Sequence, residues 1–493
     1  MNVLQLNNPP RIAGYATRLV FVLSPLLVIF PFMTDYPLLL RTTAAGLLAF
    51  TLWWTPMLLQ IEKGQVQIIN VQNLMATGFT LLFIVPGIYI AARADYFESV
   101  RDSGQYVDCY PQALAMVSMA GFAFLAGMGA AGRFFARRGR RQLFCPPLRV
   151  SSRGLNFLFA AALVLLWSVR IHLLYTGTYY HTVRSDYQYE NSAMLAVIYT
   201  LESMSYLVIV TGFIQYLRGK WKVRGWIFAF LFTLDILWYV LGDQKASVFK
   251  IVFMVVTAVL MYRQITPRRF MTLAGAVVGL ILFVIPLLNI YETILYKFHC
   301  NPSSVSIARV VENLSEAFES FDEGQLSPID NAFQRLGDIR SLGAVCSAVP
   351  DKVDFIRGES YVGILFAFVP HIVWPDKPDF EIRQALMRQI IPLQTIASSP
   401  LTMVGESFVN FSYAGIFGVF FLVGILGQVF NRSVIDAAAS NPWFGALVAV
   451  EGFRIMWTSM TLGQVVTPIA RILLVAFVLS RVMHGKRKVK RDA

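Results

Sequence analysis

Long apolar runs separated by short basic connections dominate the chain. Runs of about 20 apolar residues, the length a membrane-crossing helix needs, recur near 17–34, 38–59, 74–92, 112–132, 155–174, 193–217, 225–241, 246–262, 270–290, 411–430, 443–460 and 464–481. This pattern predicts an all-α polytopic membrane protein with about twelve transmembrane helices. Residues 291–410 break the rhythm, being far longer than an ordinary connection. They are nevertheless rich in Phe, Ile, Leu and Val, which a disordered tract is not. The chain thus divides into an N-terminal bundle of about nine spans over 1–290, a cap over 291–410, and C-terminal spans with a basic tail over 411–493.

Within the cap, Ile307, Val310, Val311, Leu314 and Phe318 recur at helical spacing, opposite Glu312, Glu316 and Glu319. That spacing predicts an amphipathic helix over 305–321, lying on protein or on the membrane surface. The stretch YVGILFAFVPHIVW, 361–374, is apolar but too short to span and is broken at Pro370, so it reads as re-entrant or interfacial. Pro375 and Pro378 then fix the backbone as an elbow, with Trp374 suited to the headgroup level. A further short helix is expected from Phe380 to Ile391, with Asp379 near its start. The elbow holds charged groups at the water–membrane boundary, where a ligand that is half lipid and half polar would meet the protein.

Composition agrees: a mean hydropathy of +0.58 with 14% charged residues lies far from a soluble domain. The first apolar run lacks a small-residue cleavage site after it and reads as a retained span. Basic residues cluster at Arg133–Arg153, Arg218–Arg224, Arg263–Arg269 and Lys486–Arg491, and with twelve spans all four clusters share one side with the N-terminus. The positive-inside rule makes that side cytoplasmic and the cap periplasmic, in a bacterial inner membrane. The net charge of +13 is therefore topology and lipid-headgroup attraction. No nucleic-acid-binding fold accompanies it, so no nucleic-acid partner is expected. Cys109, Cys300 and Cys346 fall outside and Cys145 inside. An oxidising periplasm would permit a Cys300–Cys346 bridge, with the pairing left open. No zinc spacing, P-loop, dinucleotide fingerprint or GxSxG is present, and no metal or cofactor is expected.

An apolar segment, PHIVWPDKP, a helix, and then VGESFVNFSYAGIFG opening a span resemble the Wzy-type polymerases, the oligosaccharide-repeat-unit polymerases of O-antigen and exopolysaccharide assembly. Many of them carry a proline, a basic residue, an aromatic and WP-x-KP, followed by G-E-x-x-x-N-F and a span. The turn GDQKASVF resembles that family's Gly–basic turn before a span. His371 stands where an Arg is more usual, and Lys245 replaces the common Arg. The resemblance implies polymerisation of undecaprenyl-diphosphate-linked oligosaccharide at the periplasmic face, by metal-independent, inverting glycosyl transfer. The implied partners are the lipid-linked donor and acceptor, membrane lipids, a chain-length regulator and a flippase. An O-antigen ligase-like transferase or a lipid-linked-oligosaccharide flippase are the alternatives; so is a non-catalytic envelope scaffold.

Such a transfer needs a cationic clamp for the leaving pyrophosphate and a base for the acceptor hydroxyl. The clamp candidates are Arg170, Lys245, Arg335, Arg340, Lys377 and Arg383, since guanidinium binds phosphate bidentately. A charge at membrane depth must be paired or functional, and Glu202, at comparable depth, is the expected partner if Arg170 is paired. The base candidates are Glu406, His371 and Asp376. Glu406 stands just before the 411–430 span, where it could instead cap that span. Glu451 and Arg454, three apart on one helix, are expected to neutralise each other, and Asp235 has no evident partner.

Overall fold

A computed structural model describes residues 4–5, 36–62, 65–67, 69–99, 106–138, 152–175, 192–222, 224–241, 245–263, 337–366, 401–438, 441–458 and 460–467, with scattered positions at 272, 275, 279, 330, 333, 386, 387 and 389–391. Its elements are helical, apart from an antiparallel two-residue ladder pairing Leu4–Gln5 with Gln65–Val66. In chain order the helices are α1 (Leu38–Glu62), α2 (Val71–Ala91), α3 (Ala94–Ser99), α4 (Tyr110–Arg138), α5 (Ser152–Tyr175) and α6 (Ser192–Leu217). They continue with α7 (Gly225–Leu241), α8 (Lys245–Tyr262), α9 (Ile339–Ala348), α10 (Glu359–Phe366), α11 (Met403–Phe430) and α12 (Pro442–Met456). Among the described residues four segments are long and apolar enough to cross a membrane: Leu38–Gln60, Val71–Ala91, Val107–Ala136 and Met403–Ile435. The protein is therefore a helical membrane protein. The expected spans at 17–34 and 270–290, most of 464–481, and the helix over 305–321 lie outside the described residues.

The chain forms two compact units: one of Met1–Asn2, Leu148–Ala332 and Ala438–Phe453, the other of Val3–Pro147, Phe333–Ala437 and Arg454–Ala493. The second unit is organised by α4 and α11. A Cβ on Gly127 would lie 2.0 Å from the Phe421 carbonyl oxygen, and one on Gly424 would lie 2.1 Å from that of Phe124. Reciprocal glycines thus bring the two backbones into contact, the packing that small residues allow where no hydrophobic drive separates helix from lipid. Trp53 of α1 is fully buried beside this seam. It stacks on Phe79 at 4.5 Å, leans on Phe124 at 5.2 Å, and donates its indole N–H to the Val117 carbonyl at 3.1 Å. Offset and edge contacts of this kind add to plain area burial.

α11 corrects the expected boundary at 411. It begins at Met403 and carries a break at Phe411 (φ −144°, ψ 24°) and Ser412 (φ 60°, ψ −151°). The expected start of the span, 411, coincides with this break. The preceding turn, Met403 to Asn410, is helical and buried throughout, and its polar Glu406, Ser407 and Asn410 disguise it as loop. α12 likewise ends at Met456, short of the expected 460.

The first unit packs α5 to α8 with the start of α12. Its core joins Phe159, Tyr206, Phe213, Trp221, Phe228 and Met254 to Ala446, Ala449 and Val450. Trp221 donates to Asn156 Oδ1 at 2.7 Å, and the Tyr262 hydroxyl to the Ala438 carbonyl at 2.6 Å. Both of these polar ring atoms, set among apolar residues, have a partner.

Candidate functional site

Among the described residues, two sets of buried polar side chains, one in each unit, include a hydrogen-bonded carboxylate. In the first unit α6 and α7 are antiparallel neighbours, joined by the turn at 218–224. Each carries an acid and a tyrosine four residues apart, Glu202 with Tyr206 and Asp235 with Tyr239, a spacing that puts both on one helix face. Antiparallel packing sets the acid of each helix against the tyrosine of the other. Tyr239 donates to Glu202 Oε1 in a short hydrogen bond, and the Tyr206 hydroxyl reaches the Tyr239 oxygen at 3.3 Å. Arg170 enters from α5: Nη1 binds Asp235 Oδ1 at 2.6 Å and Nη2 donates to the Tyr206 oxygen at 2.9 Å. The guanidinium carbon lies 5.0 Å from the Trp167 ring, 5.1 Å from Trp238 and 5.7 Å from Tyr239. Arg170 is 1% exposed and Asp235 3%. An unpaired charge at such burial would cost several kcal/mol, and the pair with its aromatic faces removes most of that penalty.

The partner of Arg170 is thus Asp235, not Glu202. Sequence distance hid the pair: the two stand 65 positions apart, and register between helices cannot be read from one chain. Tyr206 and Tyr239 were missed because buried aromatics are ordinary core; the repeated acid-x-x-x-Tyr spacing was the available signal. In this arrangement Arg170, a candidate for the clamp, is buried and bonded to Asp235 and to Tyr206.

In the second unit the GESFVNF run builds a joint. Glu406 is fully buried, and its Oε2 accepts the Leu462 backbone N–H at 2.9 Å. A carboxylate on the N–H that opens the helical turn at 462–467 is a cap favoured by the helix dipole. The capping alternative therefore holds in kind, at a different helix from the one expected. Thr402 caps α11 itself, accepting from Gly405 N at 3.1 Å. Asn410 ties α10 to α11: Nδ2 donates to Ser360 Oγ at 2.8 Å and to the Glu406 carbonyl at 2.7 Å, while Oδ1 accepts from Gly358 N at 2.8 Å. Arg357 (φ 48°) and Gly358 (φ 98°) turn the chain into this bond. An apolar cavity of about 210 Å³ opens beside the joint, lined by Met75, Met403, Leu426, Phe430, Leu462 and Val466 among others. Met403 and Leu462 belong to both.

Of the other expected site residues, Arg340 is the second residue of α9 and half-buried, and Lys245 opens α8 with its side chain outside the described residues. His371, Asp376, Lys377, Arg335 and Arg383 also lie outside them. Cys346 is a free thiol with Sγ 3.6 Å from Met116 Sδ. Burial, more than the nearby Cys109, pushes that thiol well above the ordinary range. Among the described residues no cluster of three or more His, Cys, Asp or Glu is placed to hold a metal ion.

A helical membrane protein with a buried, ion-paired polar network in one unit and a polar helix joint in the other is what the fold defines. Residues 169–491 match the model of DUF8712, a domain of unknown function, and the chain belongs to that family. The matched stretch takes in Arg170, Glu202, Asp235 and Glu406. No curated protein and no solved structure matched the chain.

Proposed function

We propose that the protein polymerises undecaprenyl-diphosphate-linked oligosaccharide repeat units at the periplasmic face of the bacterial inner membrane, within a polytopic frame of about twelve spans. The observation that carries this reading is the run PHIVWPDKP followed by VGESFVNF, whose second half builds a fixed joint at the break in α11 beside an apolar cavity. A rigid polar boundary next to an apolar hole suits a substrate with a lipid tail and a charged, sugar-bearing head.

In this reading Glu406 and Asn410 are positioning residues. They hold the joint, and the charged groups proposed to work with it are His371, Asp376 and Lys377 of the elbow. The acceptor hydroxyl gives its proton to a base of the elbow, His371 or Asp376. Its oxygen attacks the anomeric carbon, and the sugar–phosphate bond breaks with its electron pair leaving on the pyrophosphate. Arg335, Arg340 and Arg383 are the cations for that developing charge, where a fixed guanidinium contributes several kcal/mol.

The test is chain length in cells and in reconstituted protein. His371→Ala, Asp376→Asn and Arg340→Ala are expected to leave lipid-linked glycan carrying single repeat units, with the protein at normal levels in the membrane. Purified protein is expected to keep its activity in strong chelators. Wild-type chain lengths in all of these variants would overturn the reading.

A further inference from the structure

A serine or threonine inside a helix can bond its hydroxyl to the carbonyl four residues back. Thr51, Thr77, Ser118 and Ser407 do so, at 2.8, 2.8, 2.9 and 2.8 Å. Ser433 does not. It stands in a π-turn, Asn431–Ile435, that continues α11, where the Asp436 N–H reaches back five residues to the Asn431 carbonyl. Such turns break the regular ladder and occur frequently at functional sites. Ser433 is 4% exposed, and its Oγ has no hydrogen-bond partner among the described residues. A buried donor without an acceptor is costly, so its retention needs a physical reason.

The apolar cavity supplies one. Among the described residues that line it, only Ser433 carries a hydroxyl, amide or charge. Val423, Leu426, Gly427, Phe430 and Val434 line it from one face of α11, at helical spacing. That stripe is about 17 Å long at the helical rise. All the lining residues belong to the second unit. Leu426 is 53% exposed on a membrane-spanning segment, so the cavity opens towards lipid along this stripe. A long apolar slot with one hydroxyl donor at its end fits a single hydrocarbon chain that carries an oxygen acceptor. With no charge among these residues, it does not hold a phosphate.

Depth selects the acceptor. Ser433 lies about 32 Å along the helix from the break at Ser412, close to the roughly 30 Å thickness of the hydrocarbon. With the polar joint at one boundary, Ser433 stands at the other. The oxygens that bilayer lipids offer at that level are the ester carbonyls heading each acyl chain. A polyprenyl chain with its diphosphate at the joint end has only hydrocarbon there.

We infer that the cavity seats one acyl chain of a bilayer phospholipid, whose ester carbonyl accepts the hydrogen bond of Ser433 Oγ. The site stands whether or not the protein is a polymerase. On the polymerase reading, the substrate's tail displaces this chain from the joint end, at Met403 and Leu462.

The experiment uses full-length protein stripped of lipid in detergent. It is titrated with dioleoyl phosphatidylcholine or with its diether analogue, which keeps the chains and lacks the carbonyls, and bound lipid is counted by native mass spectrometry. The wild type is expected to hold the first ester lipid about 3–10-fold more tightly than the ether, as one hydrogen bond allows. Ser433→Ala should bind both lipids alike, at the ether value, and without lipid should melt no lower than the wild type. Equal affinities for ester and ether in the wild type overturn the inference, as does an ester preference that survives in Ser433→Ala. A lipid-free Ser433→Ala protein that melts lower also overturns it, because the hydroxyl would then have its partner within the fold.

Discussion

Arg170 and Asp235 lie 65 positions apart in sequence and share a 2.6 Å ion pair in which both residues are almost fully buried. Removing one partner strands a charge, whereas replacing both with apolar residues of similar volume does not. Asp235→Leu or Arg170→Met alone is expected to cost about 3–5 kcal/mol, and the double variant much less than the sum of the two. A denaturant titration of the four proteins in one detergent measures the coupling. Additive losses would show that the pair contributes nothing to stability.

The contact of α4 with α11 leaves no room for a side chain. With a Cβ on Gly424 placed 2.1 Å from the Phe124 carbonyl oxygen, Gly424→Ala must move one backbone, and an overpacking loss of about 1–3 kcal/mol is expected. Gly127→Ala should lose a similar amount for the same reason, since its Cβ would lie 2.0 Å from the Phe421 oxygen. Gly418, on the same helix, has nothing within 4 Å of its Cβ. Gly418→Ala is expected to be neutral or to gain about 1 kcal/mol from helix propensity. Thermal midpoints of the three variants separate close packing from propensity.

Apolar run length made the helices legible, because membrane depth alone sets how many apolar residues a span needs. The ends were less legible. At Glu406, Ser407 and Asn410 polar residues sit in a buried helical turn, so composition marked them as loop while α11 continued through them. Partners across helices were illegible: Arg170 was read against Glu202, and only packing showed Asp235 as its mate. The GESFVNF motif was visible as a pattern, but its bond to Leu462 joins residues 56 apart that no local periodicity links.

Cys346 offers a readout of side and burial together. Cys346 is partly exposed as a residue, but its thiol packs 3.6 Å from Met116 Sδ and burial there raises it, so little thiolate, the reactive species, forms near neutral pH. Cys346 is expected to resist a membrane-impermeant maleimide in intact cells. Asp351, three residues past the end of α9, is exposed. In a cysteine-free background Asp351→Cys should label from outside and Arg140→Cys only after permeabilisation. The reverse pattern would invert the topology and remove the cap from the periplasm.

The break in α11 stores strain that one substitution can release. Ser412 has φ 60° and ψ −151°, a region that glycine occupies readily and other residues enter at a cost of about 1–3 kcal/mol. Ser412→Gly removes that cost and adds back a smaller loss from the freer unfolded chain, so a net gain of about 1 kcal/mol is expected. Across the joint, Gly358 has φ 98° and faces the Phe411 ring, with Cζ 3.0 Å from where its Cβ would lie. Gly358→Ala should therefore destabilise by about 1–2 kcal/mol. Asn410→Ala removes the acceptor for Gly358 N and the donor to Ser360, which leaves buried groups unsatisfied at about 1–3 kcal/mol. The polymerase reading distinguishes these variants by product. Gly358→Ala and Asn410→Ala loosen the joint and should shorten the glycan at normal membrane levels, while Ser412→Gly keeps the joint and should retain full chain length. Shortened glycan from Ser412→Gly despite a higher midpoint would mean that the strain itself serves the reaction. Full-length glycan from Asn410→Ala would separate the joint from the chemistry.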